Sequence, residues 1–271
     1  MPCIYAHDSF GKRVAALLPE ELQQIIKKYP DEFNAGLQGP DFLFFDRPMF
    51  HLRTNRMGYW QHGTPLTPFL KRLIPLIQKE GTDSGMYAYT LGFLCHFILD
   101  SECHSFVIPM SEKPGYRHLA IENEFDRHLL RKDGFRPVTY PIWKKVRCND
   151  RIISAIHKTY RPLHLSKADI KRSLKQMRFY KWLLTGGRSI KRGLIRLLMF
   201  LSFHYADLEG HMMDLHPKKY AQKTNQSLQF IYDNSIHLAE ELLPDFHLSV
   251  TTGKPLHTRF NTTFKSNTQE T

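Results

Sequence analysis

Apolar positions along the chain recur at helical spacing, and no segment shows a run of alternating strand character. The longest apolar run begins near Met86 and reaches His104, with Thr82, Asp83 or Ser84 placed to cap it. Asp8 or Ser9 can cap a first helix to about Leu18, and Pro19, Glu20 and Glu21 open a second that Pro30 ends. Residues 31–63 read as irregular and aromatic, with Gly39, Pro40 and Asp41 forming a turn. Thr67 and Pro68 open a helix kinked or broken by Pro75 and closed by Gly81. A loop over 106–116 leads to a helix from about Arg117 to Lys132. Later helices start near Asn149 and at Ser166, where Asp169 stands three residues on in a capping arrangement, and run from Ser189 to about His211 and from Asn225 to Leu243. Residues 251–271, rich in Thr, Asn and Lys, read as a poorly ordered tail. The expected fold is all-α, a single-domain helical bundle over residues 1–250, with no internal repeat and no low-complexity linker.

Inside the apolar run the main polar exceptions are His96, Asp100, Glu102 and His104. His96, Asp100 and His104 fall at i, i+4 and i+8, one face of a helix drifting about 40° per step. An ionised aspartate buried between imidazoles costs several kcal/mol unless it is compensated, and a bound cation compensates it directly. Gly92, one turn earlier, extends the stripe and would let another chain segment approach closely. A second stripe follows in His118 and Glu122, again i and i+4, continued by Asp126. A lone buried His–Asp pair is most often a satisfied core hydrogen bond. Two such pairs plus His104 within one short region point to metal ligation, and nitrogen and oxygen donors in this number suit zinc.

Composition adds charge. The 271 residues carry 38 Lys and Arg against 26 acids, a net charge of +12, which favours anionic partners such as phospholipid headgroups or nucleic acid. The amino terminus has no basic segment followed by an apolar one, so no secretory signal is expected and a cytoplasmic location is. The apolar stretch from Gly193 to Phe203 is interrupted by Arg196 and too short to span a bilayer. Cys3, Cys95, Cys103 and Cys148 lack paired spacing and read as reduced thiols, with Cys95 and Cys103 packing in the core beside the stripe. His204, His211, Asp214 and His216 lack a clean one-face spacing, and a rim or structural role is expected for them. Basic residues at Lys167, Lys171, Arg172, Lys175 and Arg178, then Arg188, Lys191, Arg192 and Arg196, lie beside Phe179, Tyr180 and Trp182. Such a face can be solvated, can touch an anionic membrane, or can meet nucleic acid.

His7, Asp41, the His96–Asp100 pair, His104 and the His118–Glu122 pair, in this order, resemble the zinc-dependent phospholipase C family over about the first half of the chain. The resemblance implies an all-helical fold with a cluster of zinc ions, two or three, in a cleft, and hydrolysis of the phosphodiester between glycerol and headgroup. It implies one zinc on His62, His96 and Asp100 and a second on His104, His118 and Glu122. A third would be held by His7, a bridging Asp100 and the amino terminus. His62 has His51 as its alternative. Asp41 looks like the residue that orients or deprotonates the attacking water. Asp126 is expected to support the ligand helix or to pair with an arginine, while Glu102 and Glu124 are expected to be solvated or structural.

The leading expectation is therefore a zinc-dependent phosphodiester hydrolase acting on a phospholipid or related phosphodiester, with no transmembrane segment. One alternative is a nuclease or nucleotidase on a related trizinc helical scaffold, which the +12 charge would suit. Another is a non-catalytic, metal-stabilised binding protein.

Overall fold

A computed structural model describes residues 4–50, 52–187, 189–201 and 209–265. Eleven α-helices make up the described architecture, with short 3-10 turns between them and no strand among the described residues. They are α1 (Ile4–Leu17), α2 (Glu20–Lys28), α3 (Pro30–Gly36), α4 (Arg53–Gly63), α5 (Thr67–Glu80) and α6 (Gly85–Ser111), followed by α7 (His118–Lys132), α8 (Asp150–Thr159), α9 (Lys167–Leu184), α10 (Ile190–Leu201) and α11 (Ala221–Thr252). The all-α expectation holds.

The apolar run becomes α6, opened by Ser84, whose hydroxyl accepts from the Tyr87 N–H at 3.3 Å. From Met86 to Ser101 every residue of α6 is buried, as a helix apolar on all sides requires. By length and composition α6 could cross a membrane, but it lies inside the protein, packed against α1, α3, α5, α7, α8 and α11. The closest approach is with α3. A Cβ on Gly92 would lie 2.2 Å from the Phe33 carbonyl oxygen, and one on Gly36 would lie 2.2 Å from that of Tyr89. The two backbones touch where both helices carry glycine, as the position of Gly92 led one to expect.

Several boundaries differ from the sequence expectation. α2 ends at Lys28, just before Pro30 as expected, but Pro30 at once opens α3, because its missing N–H costs nothing at a first turn. Residues 31–63, expected to be irregular, hold α3, a 3-10 turn from Asp41 to Phe45 and α4. The side chain of Asn55 ties the last two together: it accepts from Leu52 N at 2.8 Å and donates to the carbonyls of Leu43 and Phe44, both at 3.1 Å. α6 continues through the expected loop to Ser111, and α5 continues through Pro75. α11 passes Pro244 and ends at Thr252, because burial of Phe246 and Val250 outweighs the one backbone hydrogen bond that proline removes. The helix expected to reach His211 is described only to Leu201, and Ser202 to Leu208, including His204, lie outside the described residues.

The expected tail is the largest departure. Residues 253–265 turn back at Gly253 and pack under the bundle, with Phe260 and Phe264 fully buried. Leu66 N donates to the Thr262 carbonyl at 3.2 Å, and the Thr67 hydroxyl donates to Asn261 at 2.7 Å. Arg259 binds Ser101 and Glu102 on α6, which makes Glu102 a structural partner. A sequence rich in Thr and Asn conceals two phenylalanines that find a ready apolar slot. Residues 266–271 lie outside the described residues.

Two substitutions test this packing by thermal unfolding. Gly92→Ala drives a methyl into the α3 backbone and is expected to cost about 1–3 kcal/mol, lowering Tm by several degrees, whereas Gly63→Ala, with open space around it, leaves Tm unchanged. Phe264→Ala is expected to cost about 3–5 kcal/mol; an unchanged Tm would mean that the last segment does not pack.

Candidate metal centre

α6 carries the stripe into the interior: His96 is fully buried, and Asp100 and His104 nearly so. α7 crosses alongside, bringing His118 and Glu122 to His104, and α1 brings His7 to the side of Asp100. His7 and His96 stack with ring centroids 4.0 Å apart. From the far side, the turn after α3 delivers Asp41, and the end of α4 delivers His62.

The side chains gather in three groups whose ligand atoms lie within 4.8 Å of one another: Asp41, His62 and His96; His7, His96 and Asp100; and His104, His118 and Glu122. His96 belongs to two of them. In the third group, His118 Nε2 stands 3.0 Å from Glu122 Oε1 and 3.2 Å from His104 Nε2, and the last pair, His104 Nε2 and Glu122 Oε1, is 3.5 Å apart. Ligand atoms on a tetrahedral zinc are separated by about 3.3 Å, so the spacing suits that ion. In the first group Asp41 Oδ1 lies 3.1 Å from His62 Nε2 and 3.8 Å from His96 Nε2. His7 Nε2 is 3.9 Å from Asp100 Oδ1.

Three imidazoles are oriented by the backbone. His62 Nδ1 donates to the Gly58 carbonyl at 2.8 Å, His96 Nδ1 to that of Leu37 at 3.2 Å, and His104 Nδ1 to that of Phe264 at 2.7 Å. A carbonyl only accepts, so each Nδ1 carries the hydrogen; Nε2 of His62 and of His96 turns a lone pair toward its group, and Nε2 of His104 does so once a cation replaces its proton. Gly39, at φ +50°, lets the chain pass against the His96 ring, where a Cβ would come within 2.2 Å of the imidazole. His96 Nε2 and His7 Nδ1 are buried with no hydrogen-bond partner among the described residues. Unsatisfied buried nitrogens beside buried carboxylates are what a cation would satisfy.

The electrostatics agree. Burial, together with repulsion from His96, pushes His7 down to about 3, and burial lowers His96 as well, so both are neutral donors at neutral pH. Burial opposes ionisation of Asp100, yet the neighbouring His104 holds the carboxyl well below the usual range. Burial likewise opposes a proton on His104, but Asp100 and Glu122 outweigh it and lift the ring to about 10. A cation at this place would take over the proton's role.

Several sequence expectations meet the geometry here. His62 stands with Asp41 and His96, and not in one group with Asp100, which stands with His7 and His96. Asp41 sits among the ligand nitrogens and not apart from them. His51, the alternative to His62, lies outside the described residues, as does the amino terminus. Asp126 pairs with no arginine among the described residues; its carboxylate caps α1, accepting from Tyr5 N at 3.2 Å and Ala6 N at 2.8 Å. It therefore supports the helix that carries His7, while burial pushes its own carboxyl up to about 7 against those two N–H groups. Glu124 is buried against Arg127 at 3.0 Å. Cys95 and Cys103 are free thiols outside all three groups. His211, Asp214 and His216 also join none of them; Asp214 binds Arg196 and Lys218 instead.

What the sequence reading missed is the support. The carbonyls of Gly58, Leu37 and Phe264 carry no side-chain signature, so only the tertiary structure reveals them.

No curated protein and no solved structure matches the chain. A family model described as zinc dependent phospholipase C matches residues 6–184, a span that includes the ligand-bearing parts of α1, α4, α6 and α7 and the Asp41 turn. With three clusters of buried histidine and carboxylate suited to metal across that span, the chain belongs to the zinc-dependent phospholipase C family.

Proposed function

We propose that this protein is a zinc-dependent phosphodiester hydrolase of the phospholipase C type. The observation that carries the reading is the row of His96, Asp100 and His104 on α6, each of which takes part in one of three adjoining groups of ligand atoms. A set closed for structure alone needs one ion with four ligands, whereas three adjoining groups of three leave positions open for water and substrate. His62 and His96, with Asp41 between them, would hold one zinc and His104, His118 and Glu122 another; His7 and Asp100 would hold a third, because the one lone pair that His96 turns to the centre serves a single ion.

Zinc, when bound, polarises a phosphoryl oxygen and lowers the pKa of a water toward about 7. The chain supplies the rest. The imidazoles, held by backbone carbonyls, keep their Nε2 atoms fixed, so little reorganisation is needed. His96 and His62 are among the groups that keep Asp41 ionised against the effect of burial, and an ionised carboxylate so placed can take the proton of the attacking water. Asp126 holds the first turn of α1 and with it His7. The substrate class consistent with the family is a phospholipid, with phosphatidylcholine and its relatives as the first to try.

A second reading, hydrolysis of single-stranded nucleic acid on the same centre, is favoured by the net charge of +12. Zinc-loaded protein assayed on phosphatidylcholine, on a soluble chromogenic phosphocholine ester and on single-stranded DNA separates the two. Turnover of the first two and not the third is expected; cleavage of DNA alone would move the assignment to a nuclease.

Metal analysis of protein purified without added metal is expected to return three zinc ions per chain, and His104→Ala to return one fewer. Asp41→Asn is expected to keep the fold and to lower turnover by about 10²–10⁴-fold. An Asp41→Asn variant as active as the parent would remove Asp41 from the reaction.

A further inference from the structure

α10 is amphipathic the wrong way round. Its inner face carries Arg192, Arg196 and Met199, spaced at i, i+4 and i+7. Arg192 donates to the carbonyls of Gly186 at 3.2 Å and Met213 at 2.8 Å, and Arg196 binds Asp214 at 2.6 Å. The outer face carries Ile190, Leu194, Leu197, Leu198, Phe200 and Leu201, each more than half exposed, with Ile190 at 92%. Large apolar side chains gain by leaving water, so six left outside on one helix call for a cover.

The neighbouring helix says what the cover is. α9 exposes Lys167, Lys171, Lys175 and Arg178 along one stripe that ends in exposed Trp182. Lys167, Lys171 and Lys175 pair with no carboxylate among the described residues. Lys191 joins the two surfaces. Lys191, at the margin of the apolar arc of α10, donates to the Trp182 carbonyl at 2.9 Å and lies 4.6 Å over its ring. An apolar stripe, an aromatic at its border and a row of free cations beside it match the layers of a bilayer, which offers acyl chains beneath anionic headgroups. A second copy of the chain would set the cationic stripe against itself. A nucleic acid would meet the cations and leave the leucines in water.

We propose that α10 and the exposed stripe of α9 form a membrane-docking surface for bilayers containing anionic phospholipid. The outer face of α10 enters the boundary between headgroups and acyl chains, Trp182 sits at that boundary, and the lysines of α9 lie over the headgroups. Arg192 and Arg196 hold the helix to the body of the protein from behind. The surface stands apart from the hydrolytic reading, since none of its residues belongs to the three ligand groups.

Co-sedimentation of the zinc-loaded full chain with vesicles tests the proposal. Binding is expected to phosphatidylcholine vesicles containing phosphatidylserine, weaker to phosphatidylcholine alone, and to fall with added salt. The double variants Leu194→Glu with Leu198→Glu, and Lys171→Glu with Lys175→Glu, are each expected to lower vesicle affinity at least about tenfold. Zinc content and circular dichroism of both variants should match the parent, which shows that they fold whether or not the protein hydrolyses lipid. Three results would overturn the proposal: no sedimentation of the parent with phosphatidylserine vesicles, variants that bind as the parent does, or a parental dimer in light scattering that the leucine variant converts to monomer.

Discussion

Two facing glycines set the geometry on which the remainder depends. At Gly36 and Gly92 the backbones of α3 and α6 meet with no side chain between them. That contact places the end of α3 directly on α6, so that the Leu37 carbonyl receives the His96 ring one turn beyond Gly92. Gly39 then bends the chain across the same ring, and Asp41 comes round to face His62 and His96. A wider crossing would lift Leu37 from His96 and carry Asp41 away from its partners. The chemistry of the centre is thus fixed by a backbone contact that itself bears no charge.

The centre shows how a helical bundle carries charged groups in an apolar interior. Asp100, Glu122 and Asp41 are all buried, and the imidazoles beside them help to hold each of them ionised. Repulsion and burial keep His7 neutral, and the proton held by His104 marks the place of greatest negative potential. Removing the cation such a set can hold leaves a cluster whose balance rests on one imidazolium, which makes the interior sensitive to metal loading.

The sequence made the stripe on α6 and the pair on α7 legible, because i and i+4 spacing maps directly onto a helix face and because ionisable residues are conspicuous in an apolar run. The all-helical class followed from the same periodicity. Less could be read where order comes from tertiary contact. α1 begins at Ile4 in the described residues, before either expected cap, because its capping carboxylate is Asp126, far along the chain. α3 and α4 are short and rich in aromatic residues, and their order depends on Pro30 and on Asn55, whose amide bridges two elements. The last segment looked like a tail because Thr and Asn dominate its composition, while its structure depends on Phe260 and Phe264. The ligand groups crossed the expected boundaries for a related reason. His62 joins Asp41 and His96 because the turn after α3 fixes Asp41 in space, and spacing alone does not encode such a turn.

The hydrogen bond from His104 to Phe264 has a consequence for biogenesis. A chain emerges from the ribosome amino end first, so helices bearing His7 through Glu122 can dock while later segments are still being made. His104 nevertheless waits for the carbonyl of a residue 160 positions downstream before its ring is locked. Translation thus acts as a timer, and the ring that links the acids of α6 and α7 is set only once the chain has been made as far as Phe264.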